Sequence, residues 1–226
     1  MNRKIALLSS VVVLAVGALY ACGNANAPVC TGACNCSGTS CSCTDGSTCT
    51  LNGGVDGGTP VDQLPSNISF DCQKNNTCNV ACGANCTSHC SNGTTCQGTC
   101  GSGCNTSCSS NSTCVQNIGD NSNATCTGTS GCQITAGASS SVTCGGGSSC
   151  DVTLSPSSTL DCQGNSTCHV TCADGGCSVN CAGDALCTCA NAGCTLNCSS
   201  GQTVKDCNGR QACVKNNNCP PGDGGI

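Results

Sequence analysis

The stretch DCQGNSTCHVTC, residues 161–172, carries three cysteines, and near copies of it recur along the chain. Its first cysteine closes a series of six that are spaced by 18 residues without an error, and each member is followed six residues later by a second cysteine. The first members are Cys72, Cys90, Cys108, Cys126, Cys144 and Cys162, and the second members are Cys78, Cys96, Cys114, Cys132, Cys150 and Cys168. The series continues, one residue longer, with Cys181 and Cys187, and has a forerunner in CTDGSTCTL, residues 43–51. This register marks an internal structural repeat.

Within the repeat, side chains alternate with a period of two. CHVTC places Cys168, Val170 and Cys172 on one side of a strand and His169 with Thr171 on the other. A second alternating stretch leads into each first cysteine, and Gly, Asn, Ser and Asp between the two stretches supply turns. Each repeat therefore reads as strand, turn, strand, turn.

Two short strands in each 18-residue unit predict an all-β fold, a flattened β-solenoid or β-helix whose coils stack at about 4.8 Å. Seven or eight such coils give a rod about 35 to 40 Å long. The two inner faces meet across a narrow interior, where the first cysteine of a unit faces the second and Leu160 faces Val170.

Differences among the repeats predict which cysteines pair. A third and a fourth cysteine occur in two units, as Cys82 with Cys86 and Cys100 with Cys104. Both are replaced together in the next three units, by Ile118 with Ser122, Ala136 with Ser140 and Leu154 with Ser158, and both return as Cys172 with Cys177 and again as Cys189 with Cys194. Joint loss and joint return are expected of bonded pairs. By the same logic the first and second cysteines of a unit bond across the turn, which predicts a disulfide ladder worth about 2 kcal/mol for each bond.

Composition supports the ladder and excludes other classes. The chain of 226 residues has 33 Cys, no Trp, one Tyr and one Phe, so it lacks the side chains of an ordinary hydrophobic core. Only 8% of residues are charged and the net charge is -5, so there is neither a basic patch nor a set of stacking aromatics for nucleic acid. We therefore expect no nucleic-acid partner.

The N-terminus predicts export. Arg3 and Lys4 precede the apolar run IALLSSVVVLAVGALYAC, and its last four residues, LYAC, end at Cys22. This ending resembles the bacterial lipobox, and the resemblance implies that the thiol of Cys22 carries a palmitate-type lipid that anchors the protein to a membrane. The expected location is the cell envelope, at the outer membrane or cell surface. The alternative is an ordinary signal peptidase that cuts after ANA, residues 25–27, and secretes the protein.

Export also agrees with the parity of the cysteines, because their number is even once Cys22 is set aside and disulfides are the default in exported proteins. The predicted organisation is a lipoprotein signal peptide over 1–21, a short tether over 22–29, a cysteine-rich first coil over 30–51, a Gly/Pro-rich loop over 52–66, a regular β-solenoid over 67–198 and a C-terminal cap and tail over 199–226. Spacing assigns no partners to Cys30, Cys34, Cys36, Cys41, Cys198 and Cys219.

One coil, TCTGTSGCQITA (residues 125–136), resembles the repeat of beetle antifreeze proteins. The resemblance implies a cross-turn disulfide, a stacked coil and a flat ice-binding face of paired threonines. In the first sheet only Thr125 and Thr127 match that array. The second sheet carries a partial column, Thr99, Thr135, Thr153 and Thr171, which is interrupted by Asn117. Threonine also suits any exposed strand, so a ligand face for ice or polysaccharide stays an alternative hypothesis.

The remaining residues predict little chemistry. His89 and His169 fall on outward positions of different coils and sheets, so we expect them to be solvated and to share no metal. No nucleophile elbow, phosphate loop or zinc-protease motif is present. C-x-C pairs of the metallothionein type occur, as at Cys34 with Cys36, but the dominant intervals are six and four residues. We expect no catalytic residue, no cofactor and no bound metal.

The sequence thus predicts a non-enzymatic, lipid-anchored module with a structural or adhesive role. Binding of a periodic ligand, either ice or polysaccharide, is the first alternative, and metallothionein-like metal binding is the second. A protein surface is a further possible partner, and the oligomeric state is left open.

Overall fold

The computed structural model describes residues 29–43, 46–52, 66–190 and 193–219, and every regular element in these ranges is a β-strand. The predicted signal peptide, Cys22, almost all of the tether and residues 53–65 of the predicted loop lie outside the described residues. In the described ranges there is no helix long and apolar enough to cross a membrane.

Twenty-one strands follow one another in the described residues. They are β1 (Val29–Gly32), β2 (Cys34–Ser37), β3 (Ser40–Cys43), β4 (Thr48–Asn52), β5 (Ser69–Cys72), β6 (Thr77–Cys82), β7 (Thr87–Cys90), β8 (Thr95–Cys100), β9 (Asn105–Cys108), β10 (Thr113–Ile118), β11 (Asn123–Cys126), β12 (Gly131–Ala136), β13 (Ser141–Cys144), β14 (Ser149–Leu154), β15 (Thr159–Cys162), β16 (Thr167–Cys172), β17 (Cys177–Cys181), β18 (Leu186–Cys189), β19 (Cys194–Cys198), β20 (Gln202–Cys207) and β21 (Arg210–Lys215).

Alternate strands belong to two different sheets. One sheet has eleven strands in the order β1-β4-β6-β8-β10-β12-β14-β16-β18-β21-β20, and the other has ten in the order β19-β17-β15-β13-β11-β9-β7-β5-β3-β2. Neighbours in the regular part are parallel and one repeat apart, as in the register of Cys114 with Cys132. The predicted β-solenoid with coils of about 18 residues is therefore confirmed.

Each regular coil pairs a four-residue strand with a six-residue strand. The short strand ends at the first cysteine, as β15 ends at Cys162, and the second cysteine is the second residue of the long strand, as Cys168 is in β16. Burial alternates along both strands, so the inner positions form one continuous core. The core consists of cysteines, aliphatic side chains and Phe70, and Val142, Leu154 and Leu160 are fully buried in it.

The coils approach one another very closely at one turn, where glycine follows the long strand. A Cβ on Gly119 would lie 2.8 Å from the carbonyl carbon of Gly101 in the preceding coil. A real side chain does not fit at that distance, so the coil spacing at this turn depends on glycine.

The two ends of the stack depart from the regular coil. At the N-terminal end β2 pairs antiparallel with β3, and β1 pairs antiparallel with β4. The predicted first coil, 30–51, therefore contains one coil formed by β3 and β4 together with two strands folded back on it. At the C-terminal end β20 and β21 form an antiparallel hairpin, and β21 pairs antiparallel with β18. These strands do not repeat the 18-residue pattern, which is why the sequence did not predict their topology.

Candidate functional site

The disulfide ladder runs along the core of the solenoid. Among the described residues, eight disulfides with a sequence separation of six close the turn between the short and the long strand of a coil. They are Cys43–Cys49, Cys72–Cys78, Cys90–Cys96, Cys108–Cys114, Cys126–Cys132, Cys144–Cys150, Cys162–Cys168 and Cys181–Cys187. The Cα atoms of the Cys144–Cys150 pair are 6.5 Å apart, within the usual range for a disulfide. The backbone of the coil thus positions these pairs for bonding.

A second set of disulfides closes the opposite turn in three coils, as Cys100–Cys104, Cys172–Cys177 and Cys189–Cys194. The ends are held by Cys30–Cys34, Cys36–Cys41, Cys198–Cys213 and Cys207–Cys219. Cys207 and Cys213 lie outside the repeat register, so the spacing of the cysteines predicted no disulfide partner for either of them.

The predicted Cys82–Cys86 disulfide is not formed in the structure. Both residues are buried, each with 2% of its surface exposed. The register of β6 and β8 stacks Cys82 directly on Cys100, and their Sγ atoms are 3.2 Å apart. The sulfurs of Cys82, Cys86, Cys100 and Cys104 all lie within 4.8 Å of one another. The side chain of Cys82 is therefore in contact with the next coil as well as with Cys86, and the bond of this four-sulfur cluster lies between Cys100 and Cys104.

The two thiols of the cluster differ in acidity. The hydrogen bond with Cys86, followed by burial, raises the pKa of the Cys82 thiol far above its ordinary value. The same hydrogen bond lowers the pKa of the Cys86 thiol, although burial acts in the opposite direction. When the pair loses one proton, the charge accordingly resides on Cys86 and Cys82 donates its S–H to it.

Serines take the place of the second set of disulfides where the cysteines are missing. The backbone N–H of Cys104 donates to Ser122 Oγ at 3.0 Å, and the hydroxyl of Ser122 contacts the Gly101 carbonyl oxygen at 3.4 Å. The same arrangement repeats one and two coils further along, at Ser140 and Ser158. In the sequence these serines are recognisable only as replacements for the fourth cysteine of the repeat. The structure shows that they form a column of hydrogen bonds between coils.

Sulfur atoms are the candidate metal ligands. Five groups of three or four cysteine sulfurs in the described residues lie close enough to hold an ion. In four of these groups every sulfur belongs to a disulfide, and a disulfide sulfur is not the thiolate that binds a metal. The four-sulfur cluster at Cys82 is the group that contains thiols.

The outer face of the eleven-stranded sheet carries the predicted ligand column. Thr99, Thr135, Thr153 and Thr171 lie in register on neighbouring strands, with Asn117 between the first two. Thr135 and Thr171 are exposed, and Thr99 and Thr153 are half-buried. The structure thus brings these four residues together on one face.

A shallow groove of about 320 Å³ lies on the same face. Small side chains at Ala81 and Thr99 form part of its lining, and Asn79, Gln97 and Asn117 contribute amides. Val115 is 36% exposed and adds an apolar contact. The groove thus offers hydrogen-bond donors and acceptors without charge.

The two histidines lie on different sheets. His89 is in β7, next to Asp71 of β5 in the ten-stranded sheet, and its side chain is exposed. His169 is in β16 of the eleven-stranded sheet, and its Nδ1 lies 2.7 Å from Thr188 Oγ1. The structure therefore brings each histidine to a separate surface.

The stacked coils and their cross-turn disulfides together define the class of protein as a cysteine-rich, disulfide-laddered β-solenoid. Comparisons with protein-family models, with curated proteins and with solved structures found no match for this chain.

Proposed function

We propose that the chain is a non-enzymatic, rigid structural module of the bacterial cell envelope, held at a membrane by a lipid on Cys22, with an adhesive role at the outer membrane or cell surface. The observation that carries the structural role is the series of eight cross-turn disulfides, one in each stacked coil. Each closes a short loop, so local opening of a coil does not separate its two strands.

The adhesive part of the proposal is supported by the chemistry of the surface. Few residues are charged, and the outward positions of the long strands are mainly Thr, Asn, Gln and Ser. A regular polar face of this kind forms hydrogen bonds with a flat partner and depends little on salt. The regular coils present this face from strand to strand, because their parallel strands keep equivalent residues in register.

Anchoring is tested by comparing the full chain with its Cys22→Ser variant. We expect the wild-type protein to enter the detergent phase and its intact mass to include a diacylglycerol group. The variant should lack the diacylglycerol group and keep the same disulfide content. Recovery of an unacylated wild-type protein cut after Ala27 would overturn the anchor and support secretion.

The groove and the threonine column favour a second candidate, binding of a polysaccharide by the face that contains Gln97 and Asn117. Asn, Gln and Thr side chains supply the paired donors and acceptors that sugar hydroxyls need, and Val115 supplies an apolar surface. Thr135→Tyr with Thr153→Tyr would obstruct the column, and Thr125→Tyr on the other sheet is the matched control. Loss of binding to insoluble glycans in the first variant alone supports this candidate. Unchanged glycan binding would overturn this candidate, and unchanged inhibition of ice recrystallisation would overturn the parallel hypothesis that the column binds ice.

Metal storage, the remaining alternative, needs many thiolates. In the part of the chain that the structure describes, thirty cysteines are held in disulfides, which works against a store of metal ions. Thiol titration of the exported protein tests this point, because a store requires many reactive thiols and the ladder leaves few.

A further inference from the structure

We propose that the four-sulfur cluster is a thiol–disulfide exchange site, in which Cys82 attacks the Cys100–Cys104 disulfide of the next coil. This activity is separate from anchoring and adhesion and does not depend on either. It gives a chemical role to Cys82 and Cys86, where the structure departs from the predicted cysteine pairing.

The first argument is the geometry of the sulfurs. Cys82 Sγ lies 3.2 Å from Cys100 Sγ, so nucleophile and disulfide are already in contact. Their backbones are fixed in this position by the parallel pairing of β6 with β8, in which Cys82 is the direct neighbour of Cys100. Exchange requires a thiolate and access to one sulfur of the bond, and burial of the cluster keeps the attack intramolecular.

The second argument is the position of Cys86. Its thiol shares a hydrogen bond with Cys82, and it carries the charge when the pair has lost one proton. Cys86 is thus placed to accept the proton of Cys82 while the sulfur of Cys82 attacks. The step forms the Cys82–Cys100 bond, breaks the Cys100–Cys104 bond and releases Cys104 as a thiolate. No oxidant or reductant is consumed, because one disulfide is replaced by another.

A second step returns the bond to a single coil. Cys86 passes its proton to the Cys104 thiolate and attacks Cys82, the Cys82–Cys86 disulfide forms, and Cys100 leaves as a thiolate. The disulfide has then moved from one coil to the preceding coil. The intermediate Cys82–Cys100 bond would link two coils covalently, whereas the cross-turn disulfides each close a loop within one coil.

The chain contains a matched control for this proposal. At the other end of the solenoid Cys172 Sγ lies 3.0 Å from Cys194 Sγ, so the sulfurs of two coils are again in contact. There, however, both coils hold a disulfide, Cys172–Cys177 and Cys189–Cys194. Contact between the coils is the same, but no thiol of this group is available to attack.

The experiment maps thiols in the intact, oxidatively folded full chain. The protein is quenched in acid, denatured, labelled with N-ethylmaleimide at low pH and digested with pepsin, and the labelled cysteines are identified by mass spectrometry. We expect label at Cys104 or Cys100 in addition to Cys82 and Cys86, and no label at Cys172, Cys177, Cys189 or Cys194. In the Cys82→Ser variant the label at Cys104 should fall by about tenfold or more, because the attacking sulfur is missing.

A time course on the wild type keeps the test independent of how the variant folds. Samples of the native protein are incubated for increasing times at two pH values and are then quenched and labelled in the same way. At the higher pH more of the pair is ionised, so the label at Cys100 and Cys104 should rise faster. Label confined to Cys82 and Cys86 at every pH would overturn the proposal. So would the absence of any labelled cysteine in the cluster, since all four sulfurs would then be in stable disulfides.

Discussion

The backbone N–H of Ser122 donates to the Oγ of Ser140, one coil further along, at 3.2 Å. Ser140 in turn brings its hydroxyl to 3.2 Å from the carbonyl oxygen of Gly119. Each serine of this column therefore satisfies two backbone groups of the preceding coil at a turn that is buried. Where a coil lacks its second disulfide, hydrogen bonds hold the turn to its neighbour.

Replacing Ser140 by alanine should lower the free energy of unfolding by about 1 to 3 kcal/mol, because the N–H of Ser122 and the carbonyl of Gly119 would lose a buried partner. Ser149→Ala is the matched control, since Ser149 is an exposed strand residue. Chemical denaturation with the disulfides intact measures both. Equal stability of the two variants would contradict this role for the serine column.

Removal of one cross-turn disulfide should cost about 2 kcal/mol, the value expected for closing a loop of this length. The double variant Cys144→Ala with Cys150→Ala removes the bond without leaving a thiol that reacts elsewhere. Its midpoint in guanidinium chloride should fall, whereas the wild type under full reduction should unfold completely. A double variant as stable as the wild type would show that the ladder is not what stabilises the coil.

Gly119→Ala should destabilise the protein by about 1 to 3 kcal/mol, because the new Cβ would overlap the backbone of the preceding coil. Gly131→Ala is the natural comparison, since a Cβ at Gly131 meets nothing within 4 Å. That change should be neutral or slightly stabilising. Thermal unfolding followed by circular dichroism separates the two, and a similar loss in both variants would count against close coil contact at Gly119.

Ser88→Ala should leave stability unchanged or raise it by about 1 kcal/mol. Among the described residues the buried Oγ of Ser88 finds no hydrogen-bond partner, so the alanine variant loses only an unsatisfied polar group. Ser112→Ala is the contrasting case, because Ser112 Oγ donates to the Ser109 carbonyl oxygen at 2.7 Å. We expect the denaturation midpoint to fall for Ser112→Ala and not for Ser88→Ala, and a marked loss for Ser88→Ala would show that its hydroxyl has a partner in solution.

The regular part of the fold could be predicted because two periods coincide in it. The interval of 18 residues gives the coil, and the alternation through Cys168, Val170 and Cys172 gives the inner face of the strand. Joint replacement of Cys100 and Cys104 by an apolar residue and a serine also indicated where the second turn lies. These signals are local and repeat many times, so a sequence pattern is enough to identify them.

Other features depend on contacts between coils and were not visible in the sequence. The approach of Cys82 to Cys100 follows from strand register, and the groove beside Gln97 follows from the size of neighbouring side chains. The antiparallel hairpin that contains Cys207 and Cys213 has no counterpart in the repeat. Because this hairpin occurs once in the chain, no repeat interval indicates how its strands or its cysteines pair. Their pairing is seen only in the three-dimensional structure.

The constant register of the parallel strands also bears on how such a chain changes over evolutionary time. Neighbouring coils present matching cysteines to one another, as Cys126 does to Cys108 on one side and to Cys144 on the other. A deletion or duplication of one 18-residue segment would stack coils with equivalent strand edges on one another. Every remaining cross-turn disulfide would stay intact, because each lies within one coil. The length of the rod is therefore free to vary in steps of about 4.8 Å, the spacing of adjacent strands, through gain or loss of whole genetic repeats.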